Sequence, residues 1–201
     1  GGYLLVGEAD IRSMGSTWND GWAVKFGPDG EIEWQKIYGG TETFPGGWEE
    51  AINSVQNAPG SGYILGGTAD SIQLFPPFCA WILKIDEFGD IEWQTAYGVA
   101  SGDSWLYSVA PSPAGGYVAA GYMEIRSGGV LCHAMAIKVG NDGEVSDGCP
   151  LDRGMVPGGA FETAVVPIVP PIAPIPSHAD VYETTFYSVD TAYGVETWCS
   201  G

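Results

Sequence analysis

The apolar residues of this chain fall in short bursts, each closed by glycine, proline or an acidic residue, and the same kinds of burst return in the same order. One kind opens on Gly-Tyr: Gly2-Tyr3-Leu4-Leu5-Val6-Gly7, Gly62-Tyr63-Ile64-Leu65-Gly66-Gly67 and Gly116-Tyr117-Val118-Ala119-Ala120-Gly121. The next is apolar on both sides and carries a lysine: Trp22-Ala23-Val24-Lys25-Phe26, Trp81-Ile82-Leu83-Lys84-Ile85 and Met135-Ala136-Ile137-Lys138-Val139. A turn glycine follows at Gly30, Gly89 and Gly143. Then comes an alternating burst, Ile32-Glu33-Trp34-Gln35 and Ile91-Glu92-Trp93-Gln94, which runs on to Tyr38-Gly39-Gly40 and Tyr97-Gly98. Alternation of period two predicts half-exposed strands, and apolar runs this short between turn signals predict strands covered on both faces.

The lysines at 25, 84 and 138 are 59 and 54 residues apart, and the turn glycines repeat both intervals. A smaller apolar burst, Ala51 to Gln56 and Leu106 to Ala110, precedes the Gly-Tyr strand in the second and third copies and is missing from the first. Each unit therefore reads as four antiparallel strands joined by turns such as Gly27-Pro28-Asp29-Gly30 and Asn141-Asp142-Gly143, where glycine takes the positive φ of a tight hairpin. A four-stranded unit with buried inner strands and a solvated outer one is the blade of a β-propeller. The predicted fold is all-β, with repeats over 1–149 (1–40, 41–98 and 99–149) and a separate tail over 150–201. Three blades do not close a ring, so the expectation is that upstream blades or another chain complete it.

The Trp-x-x-Lys strand, the Asp-Gly turn, the Trp before Tyr-Gly-Gly and the Gly-Gly-Tyr strand together resemble the repeats of secreted bacterial and archaeal β-propeller proteins. The resemblance covers roughly residues 1–149. It implies a propeller fold and says little about activity, because propellers carry unrelated functions. In that family the last repeat runs into a Cys-bounded tail, and Cys149 and Cys199 bound the corresponding segment here, which is Pro-rich. The third copy departs from the pattern, with Met135 in place of the strand tryptophan and Asp147 where Trp34 and Trp93 stand. Terminal repeats are commonly atypical in this way.

Charge narrows the partners. Seven Lys and Arg against 25 Asp and Glu leave −18, a surface that repels phosphate backbones and anionic lipid, so nucleic acid is excluded as a partner. No apolar run is long enough to span a membrane, so no membrane insertion is expected. Four cysteines in an acidic repeat chain point to an oxidising, extracellular or cell-surface location. The pairing expected is Cys149 with Cys199; Cys79 and Cys132, one place apart in the aligned repeats, read either as a bridge between neighbouring blades or as free thiols. No Cys-x-x-Cys occurs and His133 and His178 stand apart, which argues against zinc.

The tail holds seven of the fourteen prolines, five of them within 165–176, and is expected to run extended along a blade edge or a neighbouring chain. Tyr187-Ser188-Val189 echoes Tyr107-Ser108-Val109 and could supply the strand that the first copy lacks.

Candidate chemistry gathers in the long, variable connections, all assigned to one face: Asp10 to Asp20, Thr41 to Glu50, Asp70 to Phe78 with Phe75, Val99 to Trp105 and Met123 to Cys132. Trp18, Trp48 and Trp105 with Asp20, Glu49, Glu50 and Asp103 suit a sugar site, since aromatic faces stack on pyranose rings and carboxylates accept hydroxyl protons. The competing assignment is that these tryptophans fill gaps between repeats. No nucleophile elbow or phosphate loop is present, and the repeated lysines occupy one structural slot. The function expected is a non-catalytic extracellular scaffold or adhesion module that contacts protein chains or surface glycans. A carbohydrate-binding or carbohydrate-cleaving propeller is the first alternative and a calcium-stabilised assembly the second. No other cofactor is implied.

Overall fold

The computed structural model describes residues 1–10, 19–39, 49–70, 78–98, 102–126, 131–145, 152–154 and 159–162. All of them belong to one compact unit, Gly1–Thr163 with Trp198–Gly201; the second unit, Ala164–Thr197, lies wholly outside the described residues. Twelve strands and no helix occur among the described residues.

The first sheet contains β1 (Tyr3–Asp10), β2 (Asn19–Phe26) and β3 (Ile32–Gly39). The second contains β4 (Ala51–Asn57), β5 (Tyr63–Asp70), β6 (Phe78–Ile85) and β7 (Ile91–Gly98). The third contains β8 (Gly102–Pro111), β9 (Tyr117–Ile125) and β10 (Leu131–Val139). All pairings are antiparallel between chain neighbours. After β10 the chain turns back. The short β11 (Asp152–Gly154) pairs with the outer edge of β7, and β12 (Gly159–Glu162) with the outer edge of β3. The first residues of the tail thus cover two edges that would otherwise offer unpaired backbone groups.

The three copies of the repeat become three stacked sheets, and the periodicity of β6 shows how. Cys79, Trp81, Leu83 and Ile85 join Ala23, Tyr38, Ile52 and Leu65 in one core layer, between the first and second sheets. Ala80 and Ile82 join Leu106, Val109, Ala119, Met123, Met135 and Ile137 in another, between the second and third. A strand apolar at every position except Lys84 is the expected result of covering both faces.

Each repeated residue has a structural task. Gly62 (φ +71) and Gly116 (φ +68) bring their backbone so close to the carbonyls of Ile85 and Val139 that an added Cβ would sit about 2 Å from oxygen. The lysine beside that carbonyl is buried: Lys84 Nζ donates to Ser61 O (2.9 Å) and Ile85 O (3.1 Å) and pairs with Glu92 at 3.1 Å. Lys25 repeats this with Phe26 O and Glu33.

The tryptophans and tyrosines of the outer strands tie each sheet to the next. Trp34 Nε1 donates to Glu87 O (3.1 Å) and the Tyr38 hydroxyl to Gly89 O (2.9 Å), both in the turn after β6. One unit on, Trp93 Nε1 donates to Asn141 O (2.9 Å) and the Tyr97 hydroxyl to Gly143 O, in the turn after β10. The inner strands are linked as well, through their bulges: Asn53 Nδ2 donates to Leu106 O, and Val109 N to Ser54 Oγ.

Of the two readings left open for Cys79 and Cys132, the structure shows the free thiols, Cys79 buried and Cys132 exposed. The cause is side-chain parity. Cys79 belongs to the layer between the first and second sheets, whereas Cys132 stands opposite Glu124 on the outer face of the third sheet. Adjacency in the aligned repeat put them one residue apart, and one residue reverses the face of a strand. Cys149 and Cys199, residues 165–176 and the strand expected at 182–189 lie outside the described residues.

Candidate functional site

The strand directions divide the molecule into two ends. The short turns, at 27–30, 58–62, 86–90, 112–116 and 140–143, all connect strands at one end. The starts of β2, β4, β6, β8 and β10 and the finishes of β1, β3, β5, β7 and β9 are at the other, where the long connections attach. That second end carries the carboxylates singled out in the sequence.

Asp20 lies at the start of β2 and is buried. Glu50, just before β4, is fully buried, and its backbone N–H donates to Asn19 O at 3.0 Å. Both carboxylates close on Gly39 at the finish of β3, where an added Cβ would collide with Asp20 Oδ1 and lie 3.1 Å from Glu50 Oε2. Gly39 is therefore required by the two acids beside it. Glu49 is half-buried, and its backbone N–H donates to the carboxylate of Asp70.

Asp103, at the start of β8, is buried and ion-paired to the exposed Arg126. Its neighbour Ser104 is also buried; the Ser104 hydroxyl donates to Tyr97 O and accepts from Ala80 N, both at 3.0 Å. Trp105 is half-buried, stacked at 4.6 Å on Tyr122 and at 6.0 Å on Phe78. Tyr107 extends the row, 5.8 Å from Tyr122, and remains 57% exposed. Trp18 and Trp48 lie outside the described residues.

Asp70 gained no role from the sequence beyond marking a loop boundary, yet it is central here. Burial, and then the charges of Glu49 and Asp103, push its carboxyl up to about 6, against the single lowering effect of the Glu49 N–H. Its Oδ1 has no hydrogen-bond partner among the described residues. The Cys79 thiol is pushed up to about 12, first by burial and then by Asp70 and Asp103, so it is not a nucleophile at neutral pH. Tyr122 and Phe78 were also missed. The signal for Tyr122 was its register directly opposite Trp105, which depends on a bulge between Leu106 and Ser108 that composition does not reveal.

The chemistry open to this end is limited by burial. Acid–base hydrolysis needs two carboxyls facing a substrate cleft. Asp20, Glu50, Asp70 and Asp103 are instead packed into the strand ends. A cleft of about 710 Å³ lies at the opposite end, lined by Tyr3, Leu5, Lys25, Val55 and Tyr63 among others. No group of three or more His, Cys, Asp or Glu side chains able to hold a metal occurs among the described residues. Among the described residues, the features open to a ligand at this end are the aromatic row and the charged pair Arg126–Glu124 beside it, 4.0 Å apart.

No protein-family model matches the chain, and a search of curated proteins finds no match.

Proposed function

We propose that the chain is a non-catalytic, extracellular scaffold or adhesion module built from β-propeller blades, acting through its surfaces. The observation that carries this reading is the employment of the repeated polar residues. Lys25, Lys84, Trp34, Trp93, Tyr38 and Tyr97 all bond to backbone carbonyls within or between sheets, so the repeat encodes a stack and no catalytic group. The buried carboxylates of the loop end support it too, since acids packed in this way stabilise or strain strand ends and do not face substrate. The test is an immobilised-chain binding assay against glycan- and protein-coated surfaces, with a parallel screen on chromogenic esters, phosphates and glycosides. Surface binding without turnover is expected. Turnover that disappears in Asp103→Asn would overturn the reading.

A second reading rests on one specific observation, the row Phe78, Trp105, Tyr122 and Tyr107 that ends on an exposed ring. Such a row offers stacking faces to pyranose rings, with Arg126 and Glu124 placed to hydrogen-bond hydroxyls. On this reading Tyr107→Ala weakens glycan binding about tenfold, the loss of one stacking contact, and leaves the melting temperature unchanged. Calcium is retained only as a dependence to be measured, by melting with and without EDTA.

A further inference from the structure

The sheet-to-sheet contact in this protein is a repeated device, and one receptor for it is unfilled among the described residues. In the second and third units the turn glycine lies under a tryptophan from the preceding unit. An ideal Cβ on Gly89 would stand 3.0 Å from the Trp34 ring, and one on Gly143 2.8 Å from the Trp93 ring. Gly30 has the same backbone, with φ +83 against +82 and +77, and the same turn hydrogen bond, Gly30 N to Gly27 O. Nothing lies within 4 Å of the corresponding point on Gly30.

The sheet face beside that turn agrees. Leu5 occupies the place that Leu65 and Ala119 hold in the later units, and Tyr3 the place of Tyr117. Leu65 and Tyr117 are 0% and 3% exposed, whereas Leu5 and Tyr3 are 55% and 69% exposed. The first sheet thus presents full-size apolar side chains on the side away from the second sheet.

We infer that the turn Gly27–Gly30 and the face bearing Tyr3 and Leu5 dock a further repeat unit, whose outer strand carries Trp-x-x-x-Tyr. The tryptophan indole N–H of that strand donates to the carbonyl of Pro28, the position that matches Glu87 and Asn141, and the tyrosine hydroxyl to the carbonyl of Gly30. A second copy of these 201 residues does not supply it, because the strands with that motif, at 34–38 and 93–97, already hold the turns after β6 and β10. The inference rests on the reading of the sheets as propeller blades and names the partner that such a reading leaves open.

The experiment adds a copy of residues 41–114 in front of Gly1, so that Ala114 is followed by Gly1-Gly2-Tyr3 as it is naturally by Gly115-Gly116-Tyr117. A second version carries Trp93→Ala and Tyr97→Phe in the added copy alone. Amide hydrogen exchange is read at Gly27 and Gly30, with the strands of the added copy as the control for its folding. The intact unit is expected to slow exchange at Gly30 by about tenfold or more, the effect of closing a turn under a new hydrogen bond, and the altered unit to lose most of that protection. An added unit that folds without protecting Gly30 overturns the inference, as does equal protection by both versions. So does an added unit that stays unfolded, because the second and third sheets fold against just such a neighbour. Turnover and glycan binding are measured on the chain without the added unit, so the functional reading and this one fail separately.

Discussion

Asp70 is the residue whose environment is most out of keeping with its chemistry. An acid with its carboxyl raised to about 6 by burial holds its proton in the folded state over a range where the unfolded chain has already released it. Between the unfolded value of 3.8 and about 6 the folded state therefore binds more protons, and stability falls as the pH rises through that window. Above it the folded protein carries an ionised buried carboxylate. Replacing Asp70 with Asn keeps an oxygen to accept the Glu49 N–H and removes the charge. The variant is expected to be more stable than the parent at pH 8, by on the order of 1–3 kcal/mol, with the advantage vanishing near pH 4. Urea midpoints taken from pH 4 to 8 decide it. A difference that stays constant with pH would show that Asp70 is not the group responsible.

At the scale of the element, the repeat explains its own glycines by two separate requirements that single substitutions can tell apart. Gly60 has φ +94 and open space around it, so Gly60→Ala meets only the cost of a left-handed backbone, about 1 kcal/mol. Gly62 has φ +71 and the Ile85 carbonyl 2.1 Å from an added Cβ. Gly62→Ala must also push apart the end of the β5–β6 hairpin and the Lys84 ammonium that caps it. A loss of at least about 3 kcal/mol is expected, combining the backbone strain with that steric displacement. Chemical denaturation of the two variants side by side measures the difference, and equal losses would refute the close-approach account. The hairpin pattern was legible in the sequence because both causes are local: a turn glycine and a period of two. The bulges at Asn53 and Tyr107 were not legible, since they follow from how neighbouring inner strands meet.

At the scale of the whole described unit, the second sheet is the one covered on both faces, and this sets the order of local opening. The contacts run from the first sheet to β4 and from β8 to the second sheet, as in stacked repeats where each unit is stabilised by its neighbours. Amides of Leu65, Trp81 and Leu83 should exchange most slowly, and those of the edge strands β1 and β10 first. Slowest exchange in β10 would contradict the stacking order. The acidic end was half legible. Asp20, Glu50 and Asp103 were marked by their place in long connections at one face, while Asp70, Arg126 and the Tyr122 stack emerge only in the folded chain, because pairing across sheets is invisible to spacing along the chain.

The sequence by itself determined the number of repeat units, the strand order inside each and the turn chemistry, since these depend on interactions between residues close along the chain. It also marked the third unit as atypical, through Met135 and Asp147. Only the tertiary structure decided that Cys79 and Cys132 stay apart, that β11 and β12 turn back to pair with β7 and β3, and that the tryptophan and tyrosine of one unit close over the glycine turn of the next. The physical reason is the same in each case. A strand shows which side chains share a face, but which face meets which neighbour is fixed when sheets stack and water is driven from between them.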